Sequence, residues 1–400
     1  MVSFFNKPAR RTSLYTRAPL RRVEKPSLTF DPLIVIISAC FVLTGLLFTY
    51  SASAFETSSF VKRQFVFDIV GITSAWVLAY QFSNLLKIRL FKPDMLLYIT
   101  WGLLLYALFF TRSQAHTHRW IDIGGLFKLQ PSEFAKVTFV IYIAACLEET
   151  AGKLGKDWRY LKKPLGMAAI TLGLIAAGKD LGTPILMGFV LLCMLFVSGA
   201  RKMYLATLAA AAGAAGMILM LATPYRRARV WSFLHLTEDS GAGVSYQVQQ
   251  SFLAVGSGGW LGKGFGNSEL KLQYLPAAHT DFIFSVMCEE AGLLVLLVVV
   301  GFSLLLWRGV LLAKRAKTTF NGMVIFGLML TLCAQAFFNM GMAIGLLPTK
   351  GIALPFFSYG GSSVVMTLAM IGIILNLAAV DHSTAPLRRE TSFYTPRIKR

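Results

Sequence analysis

Asp281 is the residue whose position most clearly calls for a chemical explanation. It lies in the stretch LPAAHTDFIF, residues 275–284, where a polar segment becomes a long apolar one. A carboxylate at full membrane depth costs about 2.5–3.5 kcal/mol, so acids at such boundaries usually face a cavity, a partner or a substrate. A carboxylate placed in this way can act as a general base or as a metal ligand.

Three more polar clusters interrupt the apolar chain. They are HRWIDIGGLFKLQPSEFAK (118–136), KDLGT (179–183) and LLPTKGIALPFFSYGGSS (346–363). With both chain termini on one side of the membrane, these clusters and Asp281 all fall on the opposite side. Bundled helices would therefore gather them into a shared site.

Lys136 is the charged residue predicted to accompany Asp281. It lies five residues after Pro131, about one and a half turns into an apolar run. Because an unpaired ion within the membrane is costly, we predict a Lys136–Asp281 ion pair, with a purely structural helix clamp as the alternative. Glu289 and Glu290 lie about 12–14 Å further along the same helix, too deep for an outer substrate, and are predicted to form structural pairs.

Arginines and serines of the outer segments allow two interpretations each. Arg226, Arg227 and Arg229 could hold a diphosphate or contact ordinary lipid headgroups. The serines around Gly360 and Gly361 could hold an anion, although a helix start alone explains them.

No metal site is predicted from histidine or cysteine. His116 and His118 form an HxH pair without further ligand spacing, which favours a solvated loop. All five cysteines fall inside apolar runs, which argues against disulfides and cysteine metal sites.

The elements that position these residues are predicted to be membrane-spanning helices. Hydrophobic residues make up 56% of the 400 residues and charged ones 14%, and the mean hydropathy is +0.62. Spanning a bilayer takes about 20 apolar residues. The runs lie at 33–50, 65–82, 95–110, 132–147, 165–178, 182–199, 203–222, 282–306, 321–345 and 359–380. The sequence therefore predicts an all-α integral membrane protein with about ten transmembrane helices in one bundle.

Basic residues predict the orientation and the domain boundaries. With both termini cytoplasmic, 26 of the 39 Lys and Arg residues lie inside, 12 lie outside and Lys136 lies within a span, as the positive-inside rule requires. This distribution explains most of the net charge of +20 without a nucleic-acid partner. Residues 1–31 and 381–400 are predicted to be basic cytoplasmic tails around a membrane domain, 32–380, whose large outer loop, 223–281, joins helices seven and eight. Glycines between 256 and 266 predict an irregular loop that re-enters the interface or is simply solvated.

Taken together, these clusters resemble the SEDS (shape, elongation, division, sporulation) family of bacterial cell-wall glycosyltransferases. The resemblance runs from about residue 30 to 380 and is most specific in RWIDIGGLFKLQPSEFAK, GNSELKLQYLPAAHTDFIF and PTKGIALPFFSYGGSS. It implies polymerisation of lipid II, the undecaprenyl-linked disaccharide pentapeptide, into glycan strands. The third motif and the basic N-terminal extension look more like the division branch of the family than its elongation branch.

The resemblance also implies partners, location and site residues. Partners would be a class B penicillin-binding protein and other divisome membrane proteins, at the septum of the bacterial inner membrane. Asp281 matches the essential aspartate of the HTDF motif, and Trp120, Glu133 and Lys136 match other outer-site positions. Two departures are Gln273, where many division-type members have glutamate, and Lys179, where they have proline.

The implied reaction joins two sugars with inversion at the anomeric carbon. Asp281 would be the base that deprotonates the acceptor's 4-hydroxyl, and a nearby Lys136 would keep it ionised. Arginines or a divalent cation, Mg²⁺ or Mn²⁺, would stabilise the departing diphosphate. The predicted substrate-binding residues are Arg119, Trp120, Glu133, Lys136, Arg226, Arg227, His279 and Ser358.

Three other functions are compatible with ten spans. One is a flippase or transporter of the lipid-linked precursor, although charge near the midplane and an internal repeat are not evident in the sequence. A second is an elongation-type polymerase. A third is a non-catalytic scaffold of the division machinery, anchored by its tails.

Overall fold

The fold is almost entirely helical. The structure, a computed structural model, describes residues 30–52, 59–111, 119–123, 127–221, 227, 243–269, 280–348 and 351–382. The helices in these residues are α1 (Pro32–Ala52), α2 (Ser59–Leu85), α3 (Pro93–Phe110), α4 (Pro131–Glu149), α5 (Lys162–Ala177), α6 (Gly182–Val197), α7 (Lys202–Leu221), α8 (Gly243–Ser257), α9 (Ile283–Ala291), α10 (Leu296–Arg315), α11 (Thr319–Ala343) and α12 (Gly361–His382).

Each predicted apolar run coincides with helical structure. Among the described residues, six helical stretches are long and apolar enough to cross a membrane: Pro32–Ala52, Val61–Leu85, Pro93–Phe110, Ile283–Arg315, Thr319–Ala343 and Gly361–Ala379. The helices α5 and α6 are shorter, and α4 carries Glu133, Lys136 and Glu148. The membrane character is confirmed, whereas the number of ten crossings and the orientation stay predictions.

Helices α4, α11 and α12 form the centre of the bundle. Nearly every side chain of α4 from Pro131 to Leu147 is buried, and most of α11 and α12 is buried as well. Buried hydroxyls bond across neighbouring helices, as between Thr100 of α3 and Thr138 of α4 at 2.7 Å. Because α4 and α11 are surrounded by protein, polar side chains on them can be paired away from lipid.

Helices α2 and α12 pack side by side in parallel. A methyl group at Gly372 would collide with the carbonyl oxygen of Ala75, so the two backbones touch there. Asn376 closes this contact toward the carboxyl ends of both helices, since its Nδ2 donates to the carbonyl of Ala79 at 2.8 Å and its Oδ1 accepts from the amide of Ser83 at 3.1 Å.

A small hairpin precedes α4 and was not predicted by the helical pattern. Strands β1 (Ile121–Ile123) and β2 (Phe127–Leu129) pair antiparallel, with Asp122 opposite Lys128. Ser362, in the first turn of α12, ties the hairpin down. Its hydroxyl donates to the carbonyl of Lys128 at 2.7 Å and accepts from the amide of Gln130 at 3.1 Å.

The eighth predicted span is divided in two by a break at Gly292, whose φ is +57°. Carbonyls at the end of a helix lack partners within it. Here the glycine loop, residues 258–269, supplies them. The amides of Lys263 and Gly264 donate to the carbonyls of Glu289 and Glu290 at 2.9 and 3.1 Å, and the amide of Leu293 donates to Trp260 at 3.2 Å.

This glycine loop follows α8 and confirms the predicted irregular segment after Gly256. A methyl group at Gly258 would collide with the carbonyl oxygen of Cys288, and one at Gly262 with that of Glu290. Gly262 also has a φ of +77°, which L-residues rarely adopt. The depth of the loop in the membrane stays a prediction, and both predicted tails lie outside the described residues.

Candidate functional site

A cavity of about 280 Å³ gathers the predicted polar clusters. Its walls come from the segment before α4, the amino-terminal ends of α4 and α6, the turn before α9, the residue Gln335 of α11 and the loop leading into α12. The lining residues are Arg119, Trp120, Gln130, Glu133, Lys136, Thr183, Leu186, Thr280, Asp281, Gln335, Gly351, Ile352, Ala353, Tyr359, Gly360 and Ser363.

Asp281 lies in the turn directly before α9 and is partly buried. Its carboxylate borders Gly351, because a methyl group placed there would come within 3.3 Å of Oδ2. The backbone of the turn is fixed by two side chains. Ser358 Oγ donates to the carbonyl of Thr280 at 2.6 Å, and Asn339 Nδ2 donates to the carbonyl of Asp281 itself at 2.8 Å.

Lys136 is buried in the cavity wall and has partners other than the one predicted. Its Nζ lies 2.8 Å from Glu133 Oε2 and donates to Gln335 Oε1 at 2.5 Å. The prediction of a Lys136–Asp281 ion pair is therefore wrong for this structure, although both residues line the cavity. The physical reason is that Glu133, one helical turn earlier, supplies a counter-ion with no change in the path of the backbone.

Arg119 holds the corner between α5 and α6. Its guanidinium donates to the carbonyls of Gly178 and Lys179, at the carboxyl end of α5 where cations are favoured. Asp180 lies two residues before the first residue of α6. Its Oδ2 accepts from the hydroxyls of Thr183 at 2.9 Å and Ser132 at 3.3 Å. Lys179, which departs from the family pattern, has a φ of +64° that proline could not adopt.

Ser358 lies beneath the cavity rather than in its lining. Its side chain is buried, and besides donating to Thr280 it accepts from the amide of Leu354 at 2.7 Å. These bonds give its hydroxyl a role in the loop instead of a direct substrate contact. The same loop is also held by α1. The ring centroids of Phe357 and Phe41 lie 5.3 Å apart, and the carbonyl of Phe357 accepts a hydrogen bond from the hydroxyl of Thr49.

The remaining predicted residues divide clearly. Arg119, Trp120, Glu133 and Lys136 line the cavity with Asp281. Arg227 is exposed and is not among the lining residues. Arg226, Arg229, Gln273, His279, His116 and His118 lie outside the described residues.

Glu289 and Glu290 confirm the prediction of structural pairing. Glu289 Oε1 lies 2.8 Å from Lys263 Nζ, and its Oε2 accepts from Ser268 at 2.5 Å. Glu290 Oε1 accepts from Ser51 at 2.5 Å. Neither glutamate lines the cavity.

Sequence reasoning missed two amides, Gln335 and Asn339. Both point toward the cavity region from α11, and each bonds the loop before α12: Gln335 Nε2 donates to Ala353 at 2.8 Å and Asn339 Nδ2 to Ile352 at 2.7 Å. The available signal was their spacing, because two amides four residues apart in an apolar span share one helix face.

The charges of the cavity define its possible chemistry. The described lining carries two cations, Arg119 and Lys136, and two carboxylates, Glu133 and Asp281. Glu133 is paired with Lys136, and Asp281 is the second carboxylate of the lining that could accept a proton or contact a cation. Within the described ranges, no three His, Cys, Asp or Glu residues cluster as a metal site would require.

Comparisons of sequence agree with the motifs. A family model of FtsW, RodA and SpoVE, described as "Cell cycle protein", matches residues 31–383. The "Probable peptidoglycan glycosyltransferase FtsW" of Geobacter metallireducens is 35% identical over 367 residues, covering 90% of this chain and 96% of that relative. The protein of the same name in Halomonas elongata is 35% identical over 381 residues, covering 92% and 94%.

Solved structures share the fold. A chain from work described as "Structural coordination of polymerization and crosslinking by a peptidoglycan synthase complex" superimposes with a TM-score of 0.76 at 27% identity, covering 89% of this chain and 99% of that one. The rod shape determining protein RodA of Thermus thermophilus superimposes with a TM-score of 0.65 at 25% identity, covering 89% and 99%.

Proposed function

Because this chain belongs to the FtsW, RodA and SpoVE family of cell cycle proteins, we propose that it is a peptidoglycan glycosyltransferase that polymerises lipid II during septal cell-wall synthesis. Relatives that carry the FtsW name cover most of the chain, which favours the division role over the elongation role. The observation that carries the proposal is the Asp281 carboxylate in a cavity shared with a buried Lys136–Glu133 ion pair.

In the proposed reaction, Asp281 is the general base. It takes the proton of the acceptor's 4-hydroxyl as that oxygen bonds to the donor's anomeric carbon. The bond from that carbon to the lipid diphosphate breaks, so direct displacement inverts the anomeric centre without a covalent intermediate. A positioned base of this kind contributes about 10²–10⁴-fold to the rate.

Negative charge on the departing diphosphate requires cations. Arg119 is the described candidate, since its guanidinium is already held at the cavity wall by two carbonyls. Arg226 and Arg227 are further candidates from the outer loop. A divalent cation such as Mg²⁺ or Mn²⁺ would find in the described lining the carboxylate of Asp281, and would take its other ligands from the diphosphate and water.

The proposal includes a partner and a location. A synthase that polymerises glycan strands works with a crosslinking enzyme, and we assign that role to a class B penicillin-binding protein. The chain would lie in the bacterial inner membrane with both termini cytoplasmic, which places the cavity on the outer side where lipid II is polymerised. The distribution of Lys and Arg supports this orientation.

The test is polymer formation by the purified full chain, with its partner, from lipid II in detergent. Asp281→Asn is expected to lower turnover by about 10²–10⁴-fold. Asp157→Asn, the same change at an exposed turn, should leave turnover unchanged. Undiminished polymer in Asp281→Asn would refute the base, and an equal loss of lipid II binding would make Asp281 a ligand instead. Polymer made without a membrane would also exclude a purely transporting role.

A further inference from the structure

Asn339 fastens together the two backbone segments that border the cavity. One hydrogen of its amide bonds the carbonyl of Asp281 at 2.8 Å, and the other bonds the carbonyl of Ile352 at 2.7 Å. The first segment carries the proposed base. The second contributes Gly351, Ile352 and Ala353 to the lining. Together with the bond from Ser358 to the carbonyl of Thr280, this side chain sets the distance between the turn before α9 and the loop before α12.

This arrangement leaves one atom of Asn339 unsatisfied. Its side chain is buried, and Oδ1 has no hydrogen-bond partner among the described residues. Reversing the amide would set that oxygen against two carbonyl oxygens, so the orientation is fixed. An unsatisfied buried acceptor costs about 1–3 kcal/mol. Such a cost at the edge of a functional cavity is typical of residues that serve function before stability.

Gln335, one turn earlier on α11, performs a related task for the cation. Its Nε2 donates to the carbonyl of Ala353 at 2.8 Å, and its Oε1 accepts from Lys136 Nζ at 2.5 Å. The neighbouring amides thus hold the loop before α12, the turn of Asp281 and the ammonium of Lys136. One face of α11 therefore fixes the positions of Lys136 and Asp281 relative to one another.

We propose that Asn339 and Gln335 are positioning residues that hold Asp281 and Lys136 in the geometry the reaction needs. This inference rests on the proposed polymerase function. Displacing a reacting group by about 1 Å can cost about 10²-fold in rate, so loss of the amide bonds should act on turnover. An amide that only joined helices would lower stability and leave the turnover of folded molecules unchanged.

A remote asparagine provides a matched control. Asn376 is also buried and also donates to a backbone carbonyl, that of Ala79, but it joins α2 to α12 toward their carboxyl ends. Replacing either asparagine by leucine keeps the branched skeleton of the side chain, adds the same extra volume at both sites and removes the hydrogen bonds. Asn339→Leu and Asn376→Leu are both expected to lower the thermal midpoint in detergent.

The two variants should differ in kinetics with lipid II as substrate. We expect Asn339→Leu to lower kcat about 10–100-fold while KM changes less than about twofold, because binding contacts remain. Asn376→Leu should keep the wild-type kcat. A kcat for Asn339→Leu equal to that of Asn376→Leu would overturn the inference. Should Asn339→Leu fail to fold, Gln335→Leu takes its place, and a kcat equal to that of Asn376→Leu would again overturn the inference.

A second measurement separates this inference from the proposed function. Hydrogen exchange of the full chain reports the two segments directly, without any reaction. Asn339→Leu is expected to speed exchange in residues 280–283 and 351–354, and Asn376→Leu is not. Unchanged exchange in those segments would overturn the positioning role. Wild-type protein that makes no polymer dependent on Asp281 would instead overturn the polymerase, whatever the exchange shows.

Discussion

Lys136 lies one helical turn after Glu133 on α4, and the two side chains form a buried ion pair at 2.8 Å. The positive charge of Lys136 is thus neutralised by a carboxylate of the same helix. Asp281 lies across a different chain segment and is not required for that balance. The proposed base can therefore change its protonation state without leaving Lys136 unpaired.

Breaking this pair should destabilise the protein. Lys136→Met leaves the Glu133 carboxylate buried without its cation, which costs about 3–5 kcal/mol. The double variant Glu133→Gln/Lys136→Met removes both charges and is expected to recover most of that stability but not polymerase activity. Denaturant unfolding in detergent measures the first effect, and the lipid II assay the second. A single variant as stable as the double one would contradict the buried pair.

Gly351→Ala should impair the reaction without unfolding the protein. The added methyl group would lie 3.3 Å from Asp281 Oδ2, so the carboxylate has to move by a few tenths of an ångström. We expect a several-fold loss of kcat, on the scale by which small misplacements reduce rates. Gly360→Ala is the neighbouring control, since its methyl group would meet Ser363 at an ordinary 3.6 Å. Equal kcat in the two variants would show that Asp281 tolerates the contact.

Docking of the glycine loop should depend on the absence of side chains at its contact points. Gly258→Ala places a methyl group against the carbonyl oxygen of Cys288, and overpacking of this kind typically costs about 1–3 kcal/mol. Gly256→Ala, whose methyl group would meet nothing within 4 Å, is the control and should be neutral or slightly stabilising. The two thermal midpoints give the comparison, and equal values would show that the loop is not tightly docked.

The ion pair between Lys263 and Glu289 should be sensitive to alkaline pH. Hydrogen bonding to Glu289 raises the pKa of Lys263 above its ordinary value. The ion pair therefore stabilises the fold fully at pH values below the pKa of the unfolded lysine, about 10.5. This contribution is lost as the pH rises through the higher pKa of the folded protein. Lys263→Met should therefore lower the thermal midpoint at pH 8 and lower it less above pH 11. Lys163→Met, at an exposed pair with Glu149, should have little effect at either pH.

Removal of divalent cations should lower polymer synthesis. The two cations and two carboxylates of the described lining balance one another, so the charge of a bound diphosphate needs a further counter-ion. A chelator is expected to reduce turnover, and Mg²⁺ or Mn²⁺ to restore it. Full turnover in the chelator would assign the task to Arg119 and the arginines of the outer loop.

The helices were predictable because their signal is local. Long apolar runs bounded by charged segments located every described span, although α2 begins six residues before its predicted start at 65 and α10 ends nine residues after its predicted end at 306. The break at Gly292 was not predictable, because residues 282–306 form one apolar run in the sequence. The loop that bonds both sides of the break comes from an earlier part of the chain. The β1–β2 hairpin was missed because its two strands have only three residues each.

The charged residues that line the site were predictable, but the ion-pair partner of Lys136 was not. Asp281, Lys136, Glu133, Trp120 and Arg119 were identified from charge position and motif, and all line the cavity. The ion-pair partner of Lys136 is Glu133, three residues earlier on the same helix, and the sequence offered both Glu133 and Asp281 as carboxylates at a compatible depth. Ser358 was identified by its motif, but its burial follows from the fold of the loop.

The break at Gly292 divides the eighth predicted span into a nine-residue helix, α9, and a twenty-residue helix, α10. The glycine loop bridges the break, because it forms hydrogen bonds with Glu289 and Glu290 on one side and with Leu293 on the other. The loop therefore holds the two sides of the break together through its own hydrogen bonds. Asp281 lies two residues before the first residue of α9, so we expect a change in the docking of the loop to reach the proposed base through α9.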